Sequence, residues 1–323
     1  MDVGTEVSAR RDHAIAALAG IHAATICPLR DDYALDEDAL ASHVLGVMNG
    51  TDVRGLLING HAGENAQLNP AEKRRVIEVV RAALGPKAFL TSGVYSENSL
   101  EAAAMAAEAE EAGADALLVF PPNGWGLGQV SDAVLAHHRL IAAATRLPLL
   151  VYQAPVTAGR MAYPVATLCA LVALPSVAGV KEGSWEVAAY EENRRATKAV
   201  RPDLAVLGSG DEHLLVSYLI GSEGSQVSLA AVTPGPVVAL WNAAQAGDWA
   251  RARAFHDVIY PLAAAIYRQA PGGFATARLK ACLKILGRLR NDRMRPPAQS
   301  LGSEEYRRLE TALRHAESPP PNL

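Results

Sequence analysis

Val177-Ala178-Gly179-Val180-Lys181-Glu182-Gly183-Ser184 is a short apolar run closed by one lysine and followed at once by small residues. Its length and its valines read as a buried strand over 177–181. A lysine ending such a strand cannot sit in apolar surroundings without a partner or a shifted pKa, and either outcome makes its amine a possible nucleophile. The plainer alternative is an ordinary salt-bridged lysine at a strand end, so the company that Lys181 keeps has to decide.

Working outward from this strand, short β-rich runs alternate with longer Ala/Leu/Glu-rich stretches of helical period from residue 21 onward. The predicted strands are 21–26, 53–58, 88–91, 116–120, 149–152, 177–181, 204–207 and 225–229. The predicted helices that follow them are 36–48, 71–84, 97–112, 131–144, 165–171, 187–199, 211–219 and 235–246. Asn69-Pro70 supplies an N-cap with proline just inside its helix, and Gly113 stands where the third helix should stop. Eight strand–helix repeats predict an α/β fold, a closed (β/α)8 TIM barrel whose functional groups project from the C-terminal ends of the strands. An open doubly wound sheet is the competing arrangement, disfavoured because no strand leads into a G-x-G-x-x-G turn. Three further helical segments, 249–268, 274–286 and 303–315, predict a C-terminal helical extension. The expected organisation is therefore an N-terminal segment 1–20, a barrel 21–247, a helical domain 248–316 and a disordered tail 317–323.

With 323 residues, half of them hydrophobic, the chain can bury a large core. A net charge of -4, with no Lys/Arg stripe interleaved with aromatics, gives nucleic-acid binding no electrostatic support. Cys27, Cys169 and Cys282 are far apart and odd in number, which suits reduced thiols, and neither they nor the nine histidines show metal-ligand spacing. The first residues carry charges of both signs without an apolar core, and no apolar run approaches the roughly 18 residues of a membrane helix. These features predict a cytoplasmic protein acting on a small molecule, with no nucleic-acid or membrane partner.

Barrel logic makes the strand ends informative. After the second strand stands Asn59-Gly60-His61-Ala62-Gly63-Glu64-Asn65, at the fifth Tyr152-Gln153-Ala154-Pro155, and at the sixth Lys181-Glu182. A glycine-rich turn exposes backbone N–H groups that can hold a carboxylate or phosphate, and a tyrosine near a lysine can pass protons to and from a carbinolamine. Taken singly, the turn reads as just a turn, and Tyr152 as a packed tyrosine.

The order of these pieces is more specific than any one of them. Gly60-x-x-Gly63-Glu64, Tyr152-x-x-Pro155, Gly179-Val180-Lys181-Glu182 and Gly210-Asp211-Glu212 resemble the dihydrodipicolinate synthase / N-acetylneuraminate lyase family of pyruvate-dependent class I aldolases. The resemblance implies a barrel with C-terminal helices, a homotetramer or dimer, and an imine between Lys181 and the keto carbon of pyruvate or a pyruvate-bearing substrate. It implies Tyr152 as proton shuttle and the amides around His61 and Ala62, between Gly60 and Gly63, as the carboxylate nest. No metal or organic cofactor is required, because the lysine itself supplies the electrophilic catalysis.

Departures from the family pattern bear on the substrate. The turn carries His61 and Ala62 where hydroxyl residues are usual, so His61 is a candidate acid/base, or else a histidine bonded to a backbone carbonyl. Pro121-Pro122-Asn123-Gly124-Trp125 lacks the synthase's tyrosine, and Thr157 stands where the synthase has a substrate-binding arginine. Asp211 and Glu212, after Gly210, match an acidic pair that binds sugar hydroxyls in the lyase; Ser225 falls near a further polyol contact and Gln226 faces the same pocket. Asp211 as a plain helix cap is the alternative. Trp125 and Trp185 are candidate walls.

The expected function is a Schiff-base-forming carbon–carbon lyase cleaving or forming a 2-keto acid, such as a 2-keto-3-deoxy sugar acid, with pyruvate as one partner. A keto-deoxy-aldarate dehydratase or decarboxylase using the same imine is the main alternative. Dihydrodipicolinate synthesis is disfavoured, and a non-catalytic carboxylate-binding paralogue is the reading from another class.

Overall fold

In the computed structural model, which describes residues 3–318, eight parallel strands close into one barrel in sequence order. They are β1 (Gly20–Ala24), β2 (Gly55–Ile58), β3 (Phe89–Val94), β4 (Ala116–Val119), β5 (Leu149–Gln153), β6 (Val177–Glu182), β7 (Ala205–Gly208) and β8 (Gly224–Val227), and β8 pairs with β1 to complete the ring. The closed ring excludes the open-sheet arrangement.

A helix precedes the barrel, α1 (Val3–Ala17), within the segment expected at 1–20. Its Ala14 and the following Leu18 pack with Leu57, Leu118, Leu150 and Leu207 in the barrel interior, so α1 closes the end opposite the predicted site. The outer ring comprises α2 (Glu37–Met48), α3 (Pro70–Leu84), α4 (Ser99–Ala112), α5 (Ser131–Ala144), α6 (Val165–Val172), α7 (Val187–Val200), α8 (Leu214–Ile220), α9 (Leu229–Val232) and α10 (Pro234–Gln245). Local chemistry explains their ends. Asn69 and Glu72 form a reciprocal capping box at the start of α3. Gly113 ends α4 with φ 100°, a left-handed conformation that glycine adopts without a side-chain clash.

Of the predicted boundaries that move, two bear on the site. The helix expected over 211–219 begins only at Leu214, leaving Asp211 and Glu212 in the loop after β7. The strand expected over 225–229 ends at Val227, and its last residues turn into the short α9.

Strand alternation decides which side chains reach the interior. On β5, Leu150 and Tyr152 belong to the interior cluster, while Leu149 and Val151 pack outward against helices. A register shift between β5 and β6 falls at Leu149/Leu150, beyond which Tyr152 pairs with Lys181.

The C-terminal segments form α11 (Trp249–Tyr267), α12 (Ala275–Ile285) and α13 (Ser303–Ala316). They do not stay apart from the barrel. Arg295 donates to Glu72, Gln67 O and Tyr33 O, so the stretch after α12 is tied to the loops after β1 and β2. Glu317 and Ser318, the first residues of the tail expected at 317–323, cap α13, and 319–323 lie outside the described residues. Among the described residues no helix is long and apolar enough to cross a membrane.

Candidate active site

A cavity of about 410 Å³ opens at the C-terminal ends of the strands, and Tyr152, Lys181, Asp211 and Gln226 line it from β5, β6, the loop after β7 and β8. Tyr152 and Lys181 are register partners on adjacent strands. The Lys181 Nζ stands 5.8 Å from the centre of the Tyr152 ring. Burial disfavours the ammonium and pulls the Lys181 pKa down to about 8, against a smaller upward effect of the Asp211 charge. A useful share of the amine is therefore unprotonated near neutrality. Tyr152 moves the other way: burial, and then the Glu182 charge, push its pKa up, so its hydroxyl stays protonated and can donate.

Asp211 is 2 % exposed. It does not cap the helix after it, which starts at Leu214. Its Oδ1 accepts from the Leu229 amide at 2.7 Å, at the opening of α9. Burial raises its pKa to about 7, opposed by the Leu229 N–H, the Lys181 charge and the Tyr267 hydroxyl. Glu182, next to the lysine, points outward, where Asn193 Nδ2 at 2.9 Å and Ser184 Oγ at 3.0 Å donate to its carboxylate.

The turn after β2 starts from Asn59, which is left-handed at φ 52° and donates through Nδ2 to Lys73 O and Ser92 Oγ. Gly63 N and Asn65 N fold back onto Gly60 O, and Glu64 N onto His61 O. Gly60 and Gly63 therefore shape the turn rather than line the cavity, while His61 and Ala62 do line it. Among the described residues the amides of His61 and Ala62 donate to no backbone carbonyl, so they remain available to an anion. The His61 ring lies 5.2 Å from the Tyr152 ring and 4.5 Å from Phe120. Desolvation first, and the Lys181 charge second, pull its pKa down to about 4 although the ring still opens to the mouth, so it is a neutral base and not a cation near the nest. The backbone-bonded alternative for the ring is not what the geometry gives: it is the His61 carbonyl that is bonded, accepting from Thr276 Oγ1.

Several expected contacts are absent from the cavity. Glu212 turns away into an ion pair with Arg268. Thr157 is exposed on the turn Val156–Met161, outside the lining. Gly210 lies against the His213 ring, where a Cβ would clash, and does not reach the pocket. Ser225 sits on the opposite face of β8 from Gln226; its Oγ lies 3.4 Å from where a Gly208 Cβ would be, beside Ser217. Trp125 packs on His137 and Tyr163, whereas Trp185 does line the cavity.

Sequence reading missed a set of lining residues that come from outside the strand-end motifs. Tyr267 at the end of α11 shares a 2.7 Å hydrogen bond with Ser228, and its ring lies 5.0 Å from Trp185. Gly272, Gly273 and Thr276 roof the mouth from the C-terminal extension. Asn65 lies one residue past the turn motif, Ser228 one past the strand end, and both adjacencies were readable. Nothing local in 249–276 advertised a wall of the site.

Among the described residues no group of three or more His, Cys, Asp or Glu side chains could hold a metal ion.

A sequence profile of the dihydrodipicolinate synthetase family matches residues 17–316. A 4-hydroxy-tetrahydrodipicolinate synthase of Streptomyces coelicolor is 33% identical over 267 residues, 82% of this chain and 83% of the relative. An uncharacterised DapA-like lyase of Halobacterium salinarum is 31% identical over 282 residues, 87% of this chain and 88% of the relative. The crystal structure of dihydrodipicolinate synthase from Agrobacterium tumefaciens superposes with a TM-score of 0.84 at 27% identity, covering 94% of this chain and 99% of that one.

Proposed function

The chain belongs to the dihydrodipicolinate synthetase family of pyruvate-dependent carbon–carbon lyases, and on that footing we propose that it is a class I aldolase that cleaves or forms a hydroxylated 2-keto acid through an imine on Lys181, with pyruvate as the shared partner. The observation that carries this reading is the Tyr152–Lys181 register pair facing one cavity with Asp211.

The nest amides of His61 and Ala62 take the substrate carboxylate, which presents the keto carbon to Lys181. The amine lone pair adds to that carbon while the carbonyl oxygen takes a proton from the Tyr152 hydroxyl, giving a carbinolamine. Loss of water leaves a protonated imine. Breaking the C3–C4 bond sends its electron pair into the imine while the C4 hydroxyl gives its proton to the Tyr152 oxygen, which was left deprotonated by the loss of water, producing an enamine and an aldehyde. Protonation of the enamine at C3 and addition of water release pyruvate and free Lys181. Tyr152, protonated at neutral pH, is suited to the hydroxyl proton transfers, whereas the lowered pKa of His61 makes its ring a weak proton acceptor there. The lysine imine is the electron sink, so the scheme calls on no other cofactor.

For the aldehyde half, Asp211, Ser228, Tyr267 and the unpartnered Gln226 Oε1 offer a hydroxyl-reading surface. This favours a 2-keto-3-deoxy sugar acid over the amino-acid co-substrate of the synthase, because among the described residues no arginine lines the cavity to meet a second carboxylate. A keto-deoxy-aldarate dehydratase would share the imine and differ in its product. Assembly as a homotetramer or dimer fits the family.

Incubation with pyruvate and borohydride, followed by peptide mass spectrometry, tests the shared step: the expected result is a reduced pyruvyl adduct on Lys181, and a protein that stays unmodified refutes the reading. Screening keto-deoxy acids for pyruvate release then separates aldolase from dehydratase.

A further inference from the structure

Behind the carboxylate nest, Glu64 and Lys280 form an ion pair whose side chains are 3 % and 1 % exposed. Glu64 sits in the turn at φ 57°, a conformation that a side-chain-bearing residue adopts only when its surroundings hold it there. Lys280 lies on α12, 216 residues away in the chain, and also donates to Arg293 O at 2.8 Å. One helical turn earlier on α12, Thr276 Oγ1 donates to His61 O at 3.2 Å. The helix therefore grips the turn at both ends, at the His61 carbonyl and the Glu64 side chain, with the Ala62 amide between those grips and the His61 amide directly before the first.

The charges give this grip a second purpose. Glu64 lines the cavity, and its Oε2 is buried without a protein partner. An unbalanced carboxylate there would repel the substrate carboxylate that the neighbouring amides must hold. Lys280 cancels that charge without itself lining the pocket.

We infer that Lys280 is a positioning residue: through Glu64, and with Thr276, it fixes the 61–64 turn so that the nest amides meet the pyruvyl carboxylate, and it neutralises the acid that would otherwise oppose binding. The inference rests on the imine reading above, in which the nest holds pyruvate.

Lys280→Met alone leaves the Glu64 charge buried without its counter-ion, which threatens the fold, so the decisive protein is the neutral double variant Glu64→Gln/Lys280→Met. Borohydride trapping on Lys181 is followed as a function of pyruvate concentration, with thermal melting in parallel. The double variant is expected to fold and to trap pyruvate at saturation within about threefold of the wild-type rate, while half-saturating pyruvate rises by about tenfold or more, the signature of lost ground-state positioning. Thr276→Val, at a half-buried position that should not endanger the fold, is expected to raise it by about two- to fivefold. Wild-type half-saturation in the folded double variant, or in Thr276→Val should the double variant not fold, overturns the positioning role while leaving the Lys181 chemistry standing. Absence of any adduct in the wild-type protein overturns both.

Discussion

Replacing Asp211 by asparagine should make Lys181 a better nucleophile at neutral pH, a result opposite to what deleting a buried acid from a cavity usually suggests. Asparagine keeps the size of the side chain and the oxygen that accepts the 2.7 Å bond from Leu229 N, so the start of α9 stays capped. What is lost is the negative charge that props up the Lys181 ammonium. Both groups line one cavity, and the charge of each acts on the other. At an effective dielectric constant of about 20, two unit charges at about 10 Å interact by about 1.7 kcal/mol. Since about 1.4 kcal/mol corresponds to a tenfold change, the Lys181 midpoint should fall from about 8 to about 7.

At pH 7 the free amine is then about a tenth of the wild-type protein and about half of the variant, a gain of roughly fivefold. Because Asp211 itself titrates near 7, only part of its charge is present at that pH, and the gain expected in practice is about two- to fivefold. The assay is the initial rate of pyruvate trapping on Lys181 between pH 5.5 and 9.5, at subsaturating pyruvate. A rising limb displaced to lower pH is the expected result. A limb that stays in place or moves to higher pH would show that Asp211 does not act on Lys181 through its charge. Turnover of the full substrate can fall in the same variant, because Asp211 is also proposed to bind the aldehyde half, and the trapping assay does not depend on that half.

Three further outcomes follow from particular contacts. Tyr152→Phe keeps the ring packing on His61 and Phe120 but removes the proton donor, and turnover should drop by about 100-fold or more, measured as pyruvate release; near-normal turnover would move the shuttle to His61. Gly93→Ala would place a Cβ 2.0 Å from the carbonyl oxygen of Asn59, so the residue that launches the nest turn must shift; a loss of about 1–3 kcal/mol in a denaturant titration is expected, with weaker pyruvate trapping in the folded fraction. His43 is buried on α2 with an unpartnered Nε2, and burial, then Arg288, lower its pKa from 6.5 to about 4. The unfolded chain therefore takes up a proton that the native protein refuses, so this contribution to stability is present above 6.5 and is lost as pH falls toward about 4. His43→Leu should flatten that acid-side decline by up to about 3 kcal/mol, and an unchanged slope in pH-dependent denaturation would refute the assignment.

The barrel was legible because it is written in local chemistry, whereas Lys181 and Tyr152 stood out as candidates only through the order of motifs that resembles the family. Short apolar runs alternating with helical periods, glycine and asparagine at helix ends, and the place of Lys181 and Tyr152 at the ends of their strands need no knowledge of distant residues. The register that pairs Tyr152 with Lys181 follows once the strands are placed. Direction was harder. Ser225 and Gln226 are neighbours on β8, and a strand sends one outward and the other into the cavity; a sequence reading that ends the strand at 229 instead of Val227 cannot assign the faces with certainty.

The acidic pair after β7 shows where local reading stops being sufficient. Asp211 and Glu212 are adjacent and chemically alike, yet one lines the cavity at 2 % exposure and the other is taken by Arg268 at the end of α11. The residue that decides between them is 56 positions further on, in an extension that sequence reading treated as an appendix to the barrel. The same extension supplies Tyr267 beside Asp211, the glycines at the roof, Thr276 on His61 and Lys280 under Glu64. Lys181 and Tyr152 thus reach the cavity from the strand ends, and the C-terminal segment determines which polar groups beside them remain free in it. Change of substrate within this architecture should accordingly be sought first by exchanging residues 267–276 and 228, and only afterwards at the strand ends, where Lys181 and Tyr152 leave little freedom.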